Sequence, residues 1–397
     1  MATRACRTFE ARGSFEDRRR QRLAAFQPCV RPRIARLIAA GPQFEDLADS
    51  FPALLFALAT DHGQGARRDL ALLLVREGAP LRDIAAALRL PNWLRRVPPQ
   101  ALERRLPDFP LDDAFAIAAT SRLSAGLDDP GAWLDRLAAA QALLGRAFAL
   151  WALKEARFWQ PQFLDEDLAW MLAWAWASQT PGFHGHRYLR TPWHPAIGWK
   201  RASEETALWR KRVELIGALA NGPRAPWFEN GEIIGLTIEH LQTPADFVTE
   251  SVVMDNCLDQ YATHLSYGRV QIYSVRRKGK PVADVELTLR SDEVTMPAIA
   301  QIRGPRNRRA SPLIWQAVHA WLGAQQFRKL SAQPTPPRLA RAALADFWSP
   351  LVGELEALGY PDKAPWPVRS NRQPAKRARA SRRIPARPLL DAETGPA

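Results

Sequence analysis

Four side chains in the second half of the chain have the chemistry to take part in a reaction: Cys257, Tyr261, Glu286 and Gln301. A cysteine acts as a nucleophile through its thiolate, which needs a nearby base or cation and some exposure. His264 lies seven residues further along a predicted helix, about 10 Å away at a rise of 1.5 Å per residue, which is too far for a direct pair. Catalysis by Cys257 would therefore depend on another partner.

The helix that carries Cys257 has a clear predicted start and end. Thr243 can cap the first turn, Pro244 suits the first helical position, and Gly268 can end the helix in a left-handed conformation, with a break near Ser251 as an alternative. Helical spacing places an apolar stripe on one face: Met254, Cys257, Leu258, Tyr261 and Leu265. Because free cysteines are often buried, this pattern favours Cys257 as a structural core residue over a catalytic one.

Two predicted strands after this helix carry polar residues on one face. In "VADVELTLR" the alternation puts Asp284 and Glu286 opposite the apolar residues, and in "PAIAQIR" Gln301 and Arg303 share a face. If these faces align, Glu286, Gln301 and Arg303 converge. The residue pattern alone favours a solvated sheet face with a surface ion pair. It predicts no metal site and no cofactor.

The loop "QIRGPRNRRASP" is rich in arginine and precedes a predicted helix that begins at Ser311-Pro312. A helix N-terminus offers free N–H groups, and guanidinium groups add paired donors, so phosphate is the natural ligand. The predicted anion-binding residues of this loop are Arg303, Arg306, Arg308 and Arg309. A solvated charged loop is the alternative interpretation.

The elements around these residues predict an α+β fold. Apolar spacing is helical from about residue 30 to 220, and the period then changes to helix, three antiparallel strands and helix. We predict five segments: a flexible basic N-terminus (1–30), an all-α helical domain (31–225), a small α+β domain (226–330), a docking helical segment (331–361) and a disordered arginine-rich tail (362–397). The Trp-rich helices offer a surface for a protein partner.

Charge points to a polyanionic partner. The net charge is +14, and residues 362–388 carry nine Lys and Arg residues against Asp362 alone. Such a tail would release counterions on binding nucleic acid. The three cysteines show no disulfide or metal-ligand spacing, and no apolar run reaches the roughly 18 residues of a membrane span. These features predict a cytoplasmic protein without a membrane segment.

An ordered set of residues between 230 and 330 resembles the PcfJ-like family, which is linked to conjugative plasmids and other mobile elements. The matching positions are Glu250, Met254, Asn256, Cys257, Leu258, Tyr261, Gly268, Ile272, Tyr273, Arg276, Val282, Ala283, Glu286, Gln301, Arg303, Gly304 and Asn307. Ser251 stands where the family usually has glycine, and Asn256 where a histidine often precedes the cysteine. The resemblance implies that Glu286, Gln301, Arg303 and Asn307 form a site, and it adds Arg276 and Asn307 to the anion-binding set.

Three functions follow as hypotheses. The leading one is a nucleic-acid-associated accessory protein of a bacterial mobile element. The second is an enzyme that acts on a nucleotide or another phosphorylated substrate through Cys257, Tyr261, Glu286 and Gln301. The third is a protein–protein adaptor built on the helical domain.

Overall fold

Helices and a small antiparallel sheet make up the chain, which confirms the predicted α+β class. The computed structural model describes residues 16–365, except 61, 63–64, 160–164, 292 and 327. The helices within this range are α1 (16–24), α2 (Arg31–Ala39), α3 (Pro42–Ser50), α4 (Pro52–Ala59), α5 (Ala66–Arg76), α6 (Leu81–Ala87), α7 (Asp113–Ser124), α8 (Pro130–Lys154), α9 (Asp165–Gln179), α10 (Trp199–Ala218), α11 (Pro244–Met254), α12 (Ala262–Ser266), α13 (Pro312–Gly323) and α14 (Pro337–Ala357).

Two stretches that were predicted to be flexible or disordered are folded where the structure describes them. Residues 16–30, placed in a flexible N-terminus, include α1 and bury Phe26 and Val30 in the core. Lys363, placed in the disordered tail, is buried and pairs with Asp135 and Asp362. Apolar contacts hold Phe26 and Val30, and an ion pair holds Lys363. The prediction was based on the high arginine content of the two termini, which does not reveal these contacts. The remainder of the predicted tail, 366–397, lies outside the described residues.

The sheet contains the three expected strands and two more. Its strands are β1 (Gly231–Ile233), β2 (Leu236–His240), β3 (Val270–Arg277), β4 (Lys280–Thr288) and β6 (Ala298–Arg303), in the order β1-β2-β3-β4-β6 with every pair antiparallel. Strands β5 (Glu293–Val294) and β7 (Leu330–Ser331) form a separate pair. The β1–β2 hairpin turns at Ile234 and Gly235, which both have positive φ, as a tight two-residue turn requires.

The two faces of the sheet have different neighbours. Tyr273, Val275 and Val285 pack with Trp321 of α13 in one apolar cluster. On the opposite face, Ile272 joins the larger cluster formed by the helices, which extends from Phe26 to Ala364. The main core therefore crosses the predicted domain boundary at residue 225, and the helical region forms the support on which α11 and α12 rest.

Helix α14 returns to the helical region and closes this core. Trp348 is fully buried and makes edge contacts with Trp170 of α9 and Trp209 of α10, at ring-centroid distances of 5.4 and 5.7 Å. The Trp176 indole N–H donates to the Glu354 carboxylate at 2.6 Å. These contacts fix α14 against α9 and α10. No helix of the described residues is long and apolar enough to cross a bilayer.

Candidate functional site

Helix α11 ends earlier than its sequence pattern predicts. It begins as expected, with Thr243 and Asp246 forming a capping box, but Asp255 adopts a left-handed conformation (φ 51°) and ends the helix. The chain then forms a short 3-10 turn, Leu258–Gln260, before α12. Because the helical period is interrupted, the predicted apolar stripe does not continue through Cys257. The prediction of a buried Cys257 is wrong: its side chain is exposed.

This interrupted segment is fixed to the helical region by a buried ion pair. Arg212 of α10 donates through Nε to Asp259 Oδ2 at 2.7 Å, and both residues are almost fully buried. Arg212 also donates through Nη1 to the carbonyl oxygen of Tyr188 at 2.9 Å. The pair holds the turn in front of the sheet and so determines where Cys257 and Tyr261 lie.

The segment and the polar face of the sheet enclose a cleft of about 370 Å³. All four residues predicted as catalytic candidates line it, together with two of the predicted anion-binding residues. The residues around the cleft are Asn256, Cys257, Leu258, Tyr261, Ile272, Asp284, Glu286, Gln301, Arg303 and Asn307. The sequence therefore identified six of the ten residues at this site, although they come from four different elements.

A chain of hydrogen bonds links four of these side chains. Tyr261 donates its hydroxyl proton to Glu286 Oε2 at 2.9 Å, and Gln301 Nε2 donates to the same oxygen at 2.6 Å. Arg303 Nε donates to Gln301 Oε1 at 3.1 Å. Burial, and then the Glu286 carboxylate, raise the pKa of Tyr261 well above its usual value. The phenol is therefore a hydrogen-bond donor at neutral pH.

A second polar cluster lies deeper in the cleft wall and includes Asp284, whose role the sequence did not reveal. Asn256 Nδ2 donates to Asp284 Oδ2 at 2.7 Å. On the far side, Glu250 of α11 accepts from the Ser274 hydroxyl and from Arg276 Nη2. Burial, and then the neighbouring Glu250 carboxylate, raise the pKa of Asp284 to about 8. The sequence contained one indication of this position, because the alternation in β4 put Asp284 on the same strand face as Glu286.

This cluster changes two expectations. The polar face of the sheet is only partly solvated. Ser274 and Asp284 are buried against α11, as is Glu250 of that helix, whereas Arg303 at the other end of the face is exposed. Arg276, predicted to bind an anion, instead pairs with the carboxylates of Glu250 and Glu239, at 2.8 and 3.1 Å. Its charge is used to stabilise buried acid groups, so it contributes no free cation to the cleft.

The arginine loop does not form the single anion site that the sequence suggests. It is held in a tight turn, with Gly304 N–H donating to the Arg308 carbonyl oxygen at 2.8 Å and with Arg306 and Asn307 in left-handed conformations. This turn divides the predicted residues. Arg303 and Asn307 line the central cleft, whereas Arg306, Arg308 and Arg309 line a neighbouring cleft of about 480 Å³ beside Ser311.

Histidines near residue 190 have structural partners. His186 Nδ1 lies 2.8 Å from the Ala177 carbonyl oxygen, and His184 Nε2 lies 2.6 Å from Arg187 Nη2. Within the described ranges, no group of three or more His, Cys, Asp or Glu side chains gathers in a way that could hold a metal ion.

No family model, curated protein sequence or solved structure matches the chain. The resemblance to the PcfJ-like family therefore stays a prediction that depends on the residues quoted for it. We therefore infer function from the geometry of the cleft.

Proposed function

We propose that the central cleft, lined by Cys257, Tyr261, Glu286, Gln301 and Arg303, is the active site of an enzyme that acts on a small phosphorylated substrate such as a nucleotide. The observation that carries this proposal is the convergence of these side chains in one concavity. Its volume of about 370 Å³ lies in the range of small-molecule sites, which are roughly 300–1,000 Å³.

Each side chain has a distinct chemical role in this proposal. Arg303 is exposed at the rim, and its guanidinium can pair with a phosphate. Tyr261 and Gln301 hold Glu286 through two hydrogen bonds to one oxygen. Its other oxygen is left to accept a proton, or a hydrogen bond that a hydroxyl group of the substrate donates. Cys257 supplies an accessible thiol in the same cleft and is the candidate nucleophile.

Alkylation of Cys257 and Cys29, the two exposed cysteines among the described residues, tests whether a ligand occupies the cleft. Cys257 lines the cleft and Cys29 lies in the helical region, so Cys29 is an internal control for general changes in reactivity. The native protein is treated with iodoacetamide near neutral pH, with and without adenosine monophosphate or inorganic phosphate, and each site is quantified by peptide mass spectrometry. We expect the nucleotide to slow alkylation of Cys257 and to leave Cys29 unchanged.

The rate without ligand adds information about the nucleophile. An activated Cys257 reacts faster than Cys29, because a thiolate rather than a thiol attacks iodoacetamide. Equal protection of both cysteines, or no protection of Cys257 by nucleotides or phosphate, would reject a phosphorylated ligand in this cleft. The Arg303→Gln variant should lose the protection, whereas Arg338→Gln, an exposed arginine on α14, should retain it.

A second candidate function is a nucleic-acid-associated accessory protein of the PcfJ-like type, acting in the cytoplasm. The observation that favours it is the neighbouring cleft, where Arg306, Arg308 and Arg309 are exposed beside Ser311 in a chain of net charge +14. Binding of single-stranded and duplex DNA would be measured over a range of salt concentrations. Arg308→Gln/Arg309→Gln should reduce the slope of log affinity against log salt by about one per lost phosphate contact. Affinity that does not change with salt would reject this function.

A further inference from the structure

The wall of the cleft contains two buried carboxyl groups and too little positive charge to balance both. Glu250 is 1% exposed and Asp284 is 6% exposed. The nearest cation is Arg276, which also pairs with Glu239 and is therefore shared between two acidic residues. Burying two adjacent carboxylates with a single shared guanidinium is costly, and proteins avoid this cost by keeping one of the two groups protonated.

The hydrogen-bond donors show which carboxyl group carries the negative charge. Glu250 accepts from both the Ser274 hydroxyl and the Arg276 guanidinium, which stabilise an ionised carboxylate. Asp284 accepts at Oδ2 from the Asn256 amide, whereas its Oδ1 is buried and has no hydrogen-bond partner among the described residues. A proton on Asp284, shared with the neighbouring Glu250 carboxylate, would satisfy this oxygen, so the proton belongs on Asp284.

The other charged groups around Asp284 set the electrostatic balance of the cleft. Arg303 lies opposite it on β6, and Glu286 lies two residues away on the same face of β4. Their formal charges cancel. With the Cys257 thiol neutral, the charge of Asp284 therefore decides whether the cleft is neutral or negative.

We propose that Asp284 faces the cleft as a neutral carboxylic acid that donates its proton to Glu250, and that an anionic phosphate-bearing ligand binds only while Asp284 holds this proton. This inference rests on the function proposed above and assigns Asp284 as a specificity-determining residue and Glu250 as its positioning residue. With the proton in place the cleft accepts an anion beside Arg303. Without it, the carboxylate repels the anion and favours a cation.

Phosphate affinity as a function of pH tests the coupling. Inorganic phosphate is titrated into the full-length protein by calorimetry between pH 7 and pH 9. Because the pKa of Asp284 is about 8, the native protein should bind about tenfold more weakly at pH 9 than at pH 7, beyond the change due to phosphate itself. Asp284→Asn should remove this additional decrease, and Glu250→Gln should move it to lower pH. Glu232→Gln, an exposed acid on β1, should behave as the native protein does.

The protonation state is measured separately by infrared difference spectroscopy of the native protein against Asp284→Asn. We expect the carbonyl band of a protonated carboxylic acid at pH 7 in the native protein alone. Absence of that band, or the same pH dependence in Asp284→Asn, would overturn the inference. Binding of Mg²⁺ at pH 7 that Asp284→Asn abolishes would overturn it too, since it requires an ionised carboxylate. If the band is present but phosphate does not bind at any pH, the phosphorylated substrate is rejected and the proton-sharing pair is supported.

Discussion

Replacing Asp259 by asparagine should destabilise the protein where the cleft segment joins the helical region. Asparagine has the same shape as aspartate, so the change removes the charge and creates no cavity. The Arg212 guanidinium, 3% exposed, would then lie in the interior without a counterion. It would keep its hydrogen bond to the carbonyl oxygen of Tyr188.

The magnitude follows from the geometry of the pair. Two charges about 4 Å apart attract by about 4 kcal/mol at an effective dielectric constant near 20. Removal of one partner from a buried pair costs about 3–5 kcal/mol of stability. The asparagine oxygen can still accept the hydrogen bond from Arg212 Nε, so we expect a loss near the lower end of this range, about 3 kcal/mol. Asp83→Asn is the matched control, because the Arg82–Asp83 pair is exposed and should contribute less than about 0.5 kcal/mol.

Two measurements check this expectation. Urea denaturation followed by tryptophan fluorescence gives the loss in the free energy of unfolding. Native-state hydrogen exchange shows where the loss occurs, since the amides of Tyr261 and Leu265 are hydrogen-bonded within the anchored segment and should lose protection first. A loss below about 1 kcal/mol, or an equal loss in Asp83→Asn, would refute the reasoning that buried charge pairing positions this segment.

Two further predictions concern stability. In the native protein, the raised pKa lets folded Asp284 keep a proton that the unfolded chain releases, so the native protein loses stability as pH rises from 5 to 8. Asp284→Asn has no such proton and should gain stability relative to the native protein over this range, by up to about 1.4 kcal/mol per pH unit. Urea titrations that show the same pH dependence for both proteins would contradict this. Gly268→Ala should lower the free energy of unfolding by about 3 kcal/mol, since φ is +65° and the new Cβ would lie 2.0 Å from the carbonyl carbon of Gln333. Gly279→Ala, where φ is +75° and no atom lies within 4 Å of the new Cβ, should lower it by about 1 kcal/mol. Thermal denaturation of the two glycine variants compares these losses.

Local sequence rules predicted a residue's position correctly where that position depends only on the helix or strand that contains the residue. Alternation in β4 put Asp284 and Glu286 on one face, and antiparallel register then set Gln301 opposite Glu286. The start of α11 at Thr243-Pro244 and the turn at Gly268 followed from capping and glycine preferences. These rules depend on backbone geometry, which the neighbouring residues largely determine.

The same rules were wrong where the backbone departs from its period. The stripe through Cys257 assumed an unbroken helix, but Asp255 ends α11 in a conformation that aspartate adopts only occasionally. The β1–β2 hairpin was not among the three predicted strands, and its turn places Ile234 in a left-handed position that usually favours glycine or asparagine. Packing against the rest of the molecule stabilises such conformations, and no local pattern records it.

The sequence by itself determined the fold class, the polar strand face and most of the residues that line the cleft, because periodicity and turn chemistry are local properties. The tertiary structure alone decided that Cys257 is accessible and that Arg276 is neutralised, and it brought Glu250 against Asp284. The physical reason is that burial and electrostatic coupling depend on distances between residues far apart in the chain. The chemistry of an acid group is set by those neighbours as much as by its own identity.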